Sequence, residues 1–210
     1  MTTVTMLTDL ETPHGPANVH LHRSEAARGA LVLGHGAGGG VGAPDLVAAT
    51  EAGIAEGFHV ALVEQPYRVA GRRSSPPAHH LDAAWIAVVE QLAAGELEGM
   101  ALVTGGRSAG ARVACRTAAD TGAVAVLCLA FPLQPPARQG KPPAPDRLPE
   151  LDAVKVPVLV VQGERDRFGI PPSGRRREVA QVSGDHSLRS DPQAVAAATR
   201  GWLPRVVAGR

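Results

Sequence analysis

The sequence predicts a single α/β domain over residues 1–210, with a mostly parallel central sheet and helices on both faces. Short apolar, β-branched runs alternate along the chain with Ala-rich stretches of helical length. Several of those runs are apolar without interruption, as strands covered on both faces require. With 44% hydrophobic residues in 210, the chain can build one core that buries roughly 70% of its unfolded surface. Aromatic residues make up 3%, so that core is made of Ala, Val and Leu rather than rings.

Residues 17–23 (ANVHLHR) alternate polar and apolar side chains, the period of a half-exposed strand in a first hairpin. Residues 30–35 (ALVLGH) read as a buried strand running into glycines. Pro44 and Asp45 suit a helix N-terminus, and an Ala-rich helix is expected from 44 to Gly57. A strand at 58–64 (FHVALVE), a helix at 81–95 and a strand at 100–106 (MALVTGG) follow. After Ser108 the run ARVACRTAAD reads as a helix closed by Gly122. AVAVLCLAF (123–131) and VPVLVVQG (156–163) are two further apolar strands. The Pro-rich stretch 134–149 is expected to be a loop over the sheet edge, and 191–207 a last helix that Pro204 kinks or shortens.

Net charge is +1 with no block of like charge, which argues against a nucleic-acid or membrane partner. Lys141 and Lys155 are the only lysines among 21 basic residues, a compositional bias toward arginine. Cys115 falls in a helical pattern and Cys128 in a strand; both read as small buried hydrophobes, with no metal-ligand spacing around them. The first fifteen residues lack a basic and an apolar targeting region, and no stretch approaches 18 apolar residues, so a soluble cytoplasmic protein is expected. Monomer and dimer are equally compatible with these features.

The chemistry concentrates in three segments. Gly106-Arg107-Ser108-Ala109-Gly110 lies after a strand and before a helix. A serine on such a sharp turn is lifted clear of the sheet beside a helix N-terminus, where a developing oxyanion is favoured. The alternative is an N-cap serine beside packing glycines. A serine hydroxyl needs a base to accept its proton. His186, in Gly184-Asp185-His186-Ser187-Leu188, is the candidate, and Asp166, directly after the strand at 156–163, is the acid that would hold its other ring nitrogen. Glu164 and Asp185 are rival acids; His20, His22, His59, His79 and His80 are better explained as parts of strands and a helix start. Gly34-His35-Gly36-Ala37-Gly38-Gly39-Gly40 exposes backbone N–H groups, with His35 expected to brace the loop.

Together these residues resemble the α/β-hydrolase superfamily, and more narrowly its small dienelactone-hydrolase-like members and a branch of short predicted hydrolases. That branch carries H-G-A-G-G, G-G-[RK]-S-x-G, Q-G-E-R-D and G-D-H-S-L, found here from His35, Gly105, Gln162 and Gly184, within a resemblance spanning 17–208. It implies an α/β-hydrolase fold in its minimal form. The implied activity is that of a serine hydrolase, carboxylesterase-like, cleaving an ester, thioester, lactone or amide of a small-molecule acyl substrate. Ser108, Asp166 and His186 would be its triad, and the N–H groups of Ala37 and Ala109 its oxyanion hole. No metal or organic cofactor is implied. Many relatives carry a lid where this chain has only the Pro-rich loop, and a helix after the acid where it has only FGIPPSGRRR (168–177). The absence of a cap domain points to an open site.

Arg107 and Arg68, with Arg72, Arg73, Arg165 and Arg167, fall on the reactive edge, where they would either grip a substrate anion or form a solvated rim. Two other readings stay open. One is an idle hydrolase fold used for binding. The other is a dinucleotide-binding Rossmann protein, since Gly34, Gly36 and Gly39 also fit G-x-G-x-x-G and Glu64 ends the next strand.

Overall fold

A computed structural model describes residues 3–136, 140 and 144–208. The first strand, β1 (Thr3–Leu10), is followed by β2 (Ala17–Arg23) and β3 (Gly29–Gly34). Helix α1 (Pro44–Ala55), strand β4 (Phe58–Glu64), a one-turn helix α2 (Pro66–Val69) and helix α3 (Ala78–Ala94) come next. Then follow β5 (Leu102–Arg107), α4 (Ala109–Thr117), β6 (Ala125–Leu129), α5 (Leu148–Asp152), β7 (Val158–Gly163), β8 (Arg177–Val182) and α6 (Pro192–Val207).

The eight strands form one sheet in the order β1-β2-β4-β3-β5-β6-β7-β8. The first two pairings are antiparallel and the rest parallel. Alternating residues feed opposite faces. Leu31 and Leu33 of β3 pack with Leu46 of α1 and Trp202 and Leu203 of α6, while Ala30 and Val32 pack with Trp85 and Val88 of α3. Farther along the sheet, Val126 and Cys128 meet Ala111, Ala114 and Cys115 of α4, and Leu151 of α5. Helices α1 and α6 thus cover one face, and α3, α4 and α5 the other. The two cysteines are buried and free, their sulfurs 3.4 Å apart.

Two strands depart from the expectation. β1 occupies a stretch assigned no structure, and β8 begins at the last residue of FGIPPSGRRR (168–177), where no strand was assigned. Pro204 does not shorten the last helix, which runs on to Val207 with the Ala208 N–H reaching the Pro204 carbonyl (3.1 Å). The Pro-rich stretch ends in α5 rather than remaining loop throughout; residues 137–139 and 141–143 of it, with Lys141, lie outside the described residues. No cap domain is inserted among the described residues, and no helix there is long and apolar enough to cross a membrane.

From β3 the chain moves to β4 on one side and later to β5 on the other. The loops after β3 and β5 therefore diverge at a topological switch point, the crevice where open α/β sheets place their sites.

Candidate active site

Ser108 makes the whole turn between β5 and α4. Its backbone lies at φ 53° and ψ −106°, a left-handed conformation that L residues avoid. The turn is held from below by the Ser108 N–H, which donates to the Leu129 carbonyl of β6 (2.9 Å). It is also held by contact with β3: a Cβ on Gly110 would run into the Gly34 carbonyl oxygen, so α4 sits directly against that strand's end.

Asp166 and His186 come from the far side of the crevice. Asp166 lies in the turn after β7, its N–H donating to the Gly163 carbonyl (3.0 Å). His186 lies between β8 and α6, and Gly163 leaves room for the backbone at Asp185 to pass against β7. The three side chains meet: His186 Nδ1 lies 2.7 Å from Asp166 Oδ2, and His186 Nε2 lies 2.9 Å from Ser108 Oγ. The Asp166 side chain is fully buried, whereas that of His186 is 20% exposed. The candidate acid is therefore shielded while the candidate base opens to solvent.

Two residues without an assigned role in the sequence reading hold this chain in place. Gln162, fully buried on β7, donates from Nε2 to Asp166 Oδ2 (2.7 Å) and to the carbonyls of Phe131 (3.1 Å) and Gly169 (3.0 Å). The other carboxylate oxygen of Asp166 accepts from the Phe168 N–H (2.9 Å), and the Phe168 ring lies 4.4 Å from that of His186. The signal for Gln162 was available: an amide inside an otherwise apolar buried strand must have a hydrogen-bonding partner nearby.

The rivals are engaged elsewhere. The Asp185 carboxylate accepts from its own turn, at the Ser187 N–H and hydroxyl (2.9 and 2.6 Å), and those bonds hold it below the usual carboxylate range. Glu164 is exposed. His59 accepts from the Ser24 N–H (3.1 Å), His20 lies 3.4 Å from Glu64, and at the start of α3 His80 stacks on His14 while His79 meets His80 edge-on. Among the described residues no group of three or more His, Cys, Asp or Glu is arranged to hold a metal ion.

The loop after β3 turns through Ala37 and Gly38, the Gly39 N–H donating to the Gly36 carbonyl (3.2 Å). It lies over the nucleophile's turn, with Gly36 against Ser108 Cβ. His35 braces it: the Gln65 N–H donates to His35 Nε2 (3.1 Å), so Nδ1 carries the proton and donates to the Gly36 carbonyl (2.9 Å). Tyr67, the sole tyrosine, donates from its hydroxyl to the Ala37 carbonyl (2.9 Å). His35 and Tyr67 thus occupy the Gly36 and Ala37 carbonyls of the loop.

Arginines at the rim divide into two kinds. Arg72, Arg73, Arg165 and Arg167 are exposed. Arg68 is half-buried and donates to the Arg72 carbonyl (3.3 Å). Arg107 is turned into the protein rather than toward solvent: Nε lies 2.9 Å from Asp45 Oδ2, and Nη2 donates to the His186 carbonyl (3.1 Å). These two contacts tie Arg107 to the protein at Nε and Nη2.

Asp45 also counts against a dinucleotide site. Its fully buried carboxylate sits in the first turn of α1 and accepts from the Leu46 N–H (3.0 Å). That is the helix N-terminus a pyrophosphate would occupy, and a buried carboxylate there repels it.

The model of a family described as an alpha/beta hydrolase domain matches residues 27–199. No curated protein sequence matches the chain. Among solved structures, a lidless α/β serine hydrolase from Xanthomonas campestris, XC6422, superposes with a TM-score of 0.76 at 19% identity, covering 100% of this chain and 98% of that one. Est1E from Butyrivibrio proteoclasticus gives 0.76 at 16% identity, covering 97% and 99%. A dienelactone hydrolase from Anabaena variabilis gives 0.73 at 14% identity, covering 97% and 98%.

Proposed function

This chain belongs to the α/β-hydrolase domain family, and from that premise we propose that it is a carboxylesterase-like serine hydrolase. It cleaves an ester, or a related thioester or lactone, through an acyl-enzyme on Ser108. The observation that carries the proposal is the hydrogen-bonded chain Ser108–His186–Asp166, with distances of 2.9 and 2.7 Å.

Asp166, ionised, accepts from Nδ1–H and so leaves the lone pair of Nε2 facing the serine hydroxyl. As the hydroxyl oxygen attacks the substrate carbonyl, its proton passes to Nε2. The N–H groups of Ala37 and Ala109 then hold the tetrahedral oxyanion. The imidazolium returns its proton to the leaving oxygen, and the C–O bond breaks. A water molecule, deprotonated in turn by His186, attacks the acyl-enzyme, and the imidazolium returns that proton to Ser108 Oγ as the acyl C–O bond breaks and the acid leaves. A base open to solvent and a crevice with no cap inserted among the described residues support small acyl substrates, or the accessible end of a larger molecule.

Turnover of p-nitrophenyl acetate tests this reading. Ser108→Ala should lower kcat by roughly 10⁴-fold or more, and Asp166→Asn by a comparable factor. Wild-type rates in Ser108→Ala would refute it.

A further inference from the structure

We infer that Arg107 is a positioning residue, a latch that docks the loop of His186 and the loop of Ala37 against the nucleophile, with Asp45 as its anchor. The inference rests on the hydrolase reading of the same site.

Arg107 ends β5 and immediately precedes Ser108. Its guanidinium meets three segments that have no covalent reason to stay together. Nε pairs with Asp45 at the start of α1 (2.9 Å). Nη2 donates to the carbonyl of His186 itself (3.1 Å). Nη1 lies against the backbone of the loop after β3, where a Cβ on Gly36 would come within 2.7 Å of it. One side chain therefore touches the loop of the proposed oxyanion donor Ala37, the residue of the base and the helix behind them.

Asp45 is built to hold that side chain. Its carboxylate is fully buried, with Oδ1 occupied by the Leu46 N–H and Oδ2 facing Arg107. Burial pushes its carboxyl above the ordinary range, and Arg107 is the cation that opposes the shift. Buried charges persist when they are paired, so the pair fixes the guanidinium at its Nε end and leaves the other end to reach His186. A planar fork does both at once; a lysine ammonium keeps the charge but cannot span the two acceptors.

The consequence is geometric. The bond between His186 Nε2 and Ser108 Oγ is 2.9 Å long, and a drift of about 1 Å in a reacting group can cost on the order of 100-fold in rate. Arg107 therefore acts on kcat and not on substrate affinity.

The test compares Arg107→Lys, Asp45→Asn and the paired neutral variant Asp45→Asn/Arg107→Gln with wild type, because Arg107→Gln alone would strand the Asp45 charge. Three readings are taken: kcat and KM on a neutral and an anionic p-nitrophenyl ester, melting temperature, and amide hydrogen exchange over residues 184–188. Arg107→Lys is expected to melt near wild type, to lose about 10- to 100-fold in kcat with KM within about twofold on both esters, and to exchange faster over 184–188. The paired variant should show the same kcat loss, and Asp45→Asn, which keeps the bond to His186, a smaller one. Unchanged kcat and exchange in Arg107→Lys overturn the latch. So does a rise in KM confined to the anionic ester, which would make Arg107 a substrate contact. If wild type hydrolyses neither ester, the hydrolase reading fails, and unchanged exchange over 184–188 still decides against the latch.

Discussion

Ser108 stands at φ 53°, where a non-glycine residue stores about 1–3 kcal/mol of strain, and the hydrogen bonds around it show what that strain is spent on. It aims a hydroxyl at His186 from the one position where β5, α4 and the loop after β3 converge. His35 stabilises the same corner only while neutral. A proton on Nε2 would face the Gln65 N–H that now donates to it, and burial accordingly lowers the His35 pKa from 6.5. The unfolded chain takes up that proton at about pH 6.5 and the folded one at lower pH, so the contribution is fully present above 6.5 and is lost as pH falls below it. Melting temperature should therefore fall between pH 7.5 and 5.5 by more in wild type than in His35→Gln; parallel curves would contradict the assignment. At this scale Ser108, Asp166 and His186, which the fold brings together, were legible as candidates because each stands in a short motif at the end of a predictable element. Gln162 and Phe168 were visible as letters but not as roles, and Asp45 only as a helix start, since each meets its partner at the site through a contact that only folding creates. The partner of Arg107 was hidden for a related reason: beside Ser108 in the sequence it reads as a substrate grip or a solvated rim, and only folding brings it to Asp45.

Elements were legible in proportion to their burial. Each internal parallel strand reads as an apolar run, and β3, β6 and β7 are buried along their whole length. The edge strands gave no such signal. In β1, Val4 and Met6 are exposed while Leu7 and Leu10 pack inward, and an irregularity between Leu7 and Leu10, with Asp9 at φ 58°, breaks the two-residue period. In β8, Arg177 and Glu178 pair with Asp152 and Arg205, so a strand with one free edge reads as polar loop. The close approach of α4 to β3 is the element-level feature on which the site depends. Adding a methyl at Gly110 forces α4 away from the Gly34 carbonyl. Gly110→Ala should lose about 1–3 kcal/mol of stability by urea denaturation and most of its ester turnover. An unchanged denaturation midpoint would mean that the helix has slack which this packing does not show.

Across the whole molecule, the order in which strands join the sheet determines where chemistry is possible. The chain leaves β3 in one direction and returns to it from the other, so the loops after β3 and β5 open a crevice. The loops after β7 and β8 then carry Asp166 and His186 into it from the same end of the sheet. No cap is inserted among the described residues, which leaves the crevice open to water. The solved structures that superpose on this chain share its fold, while the substrate must be set by the residues lining this crevice. The central claim is that Ser108 is made nucleophilic by its partners, and covalent capture reads that property directly. Wild type, Ser108→Ala and His186→Ala would each be treated with a fluorophosphonate and the adduct mapped by mass spectrometry. The account predicts one adduct, on Ser108, formed rapidly in wild type, slowly in His186→Ala and not at all in Ser108→Ala. An unreactive wild type, or a modification that maps to another residue, would contradict it.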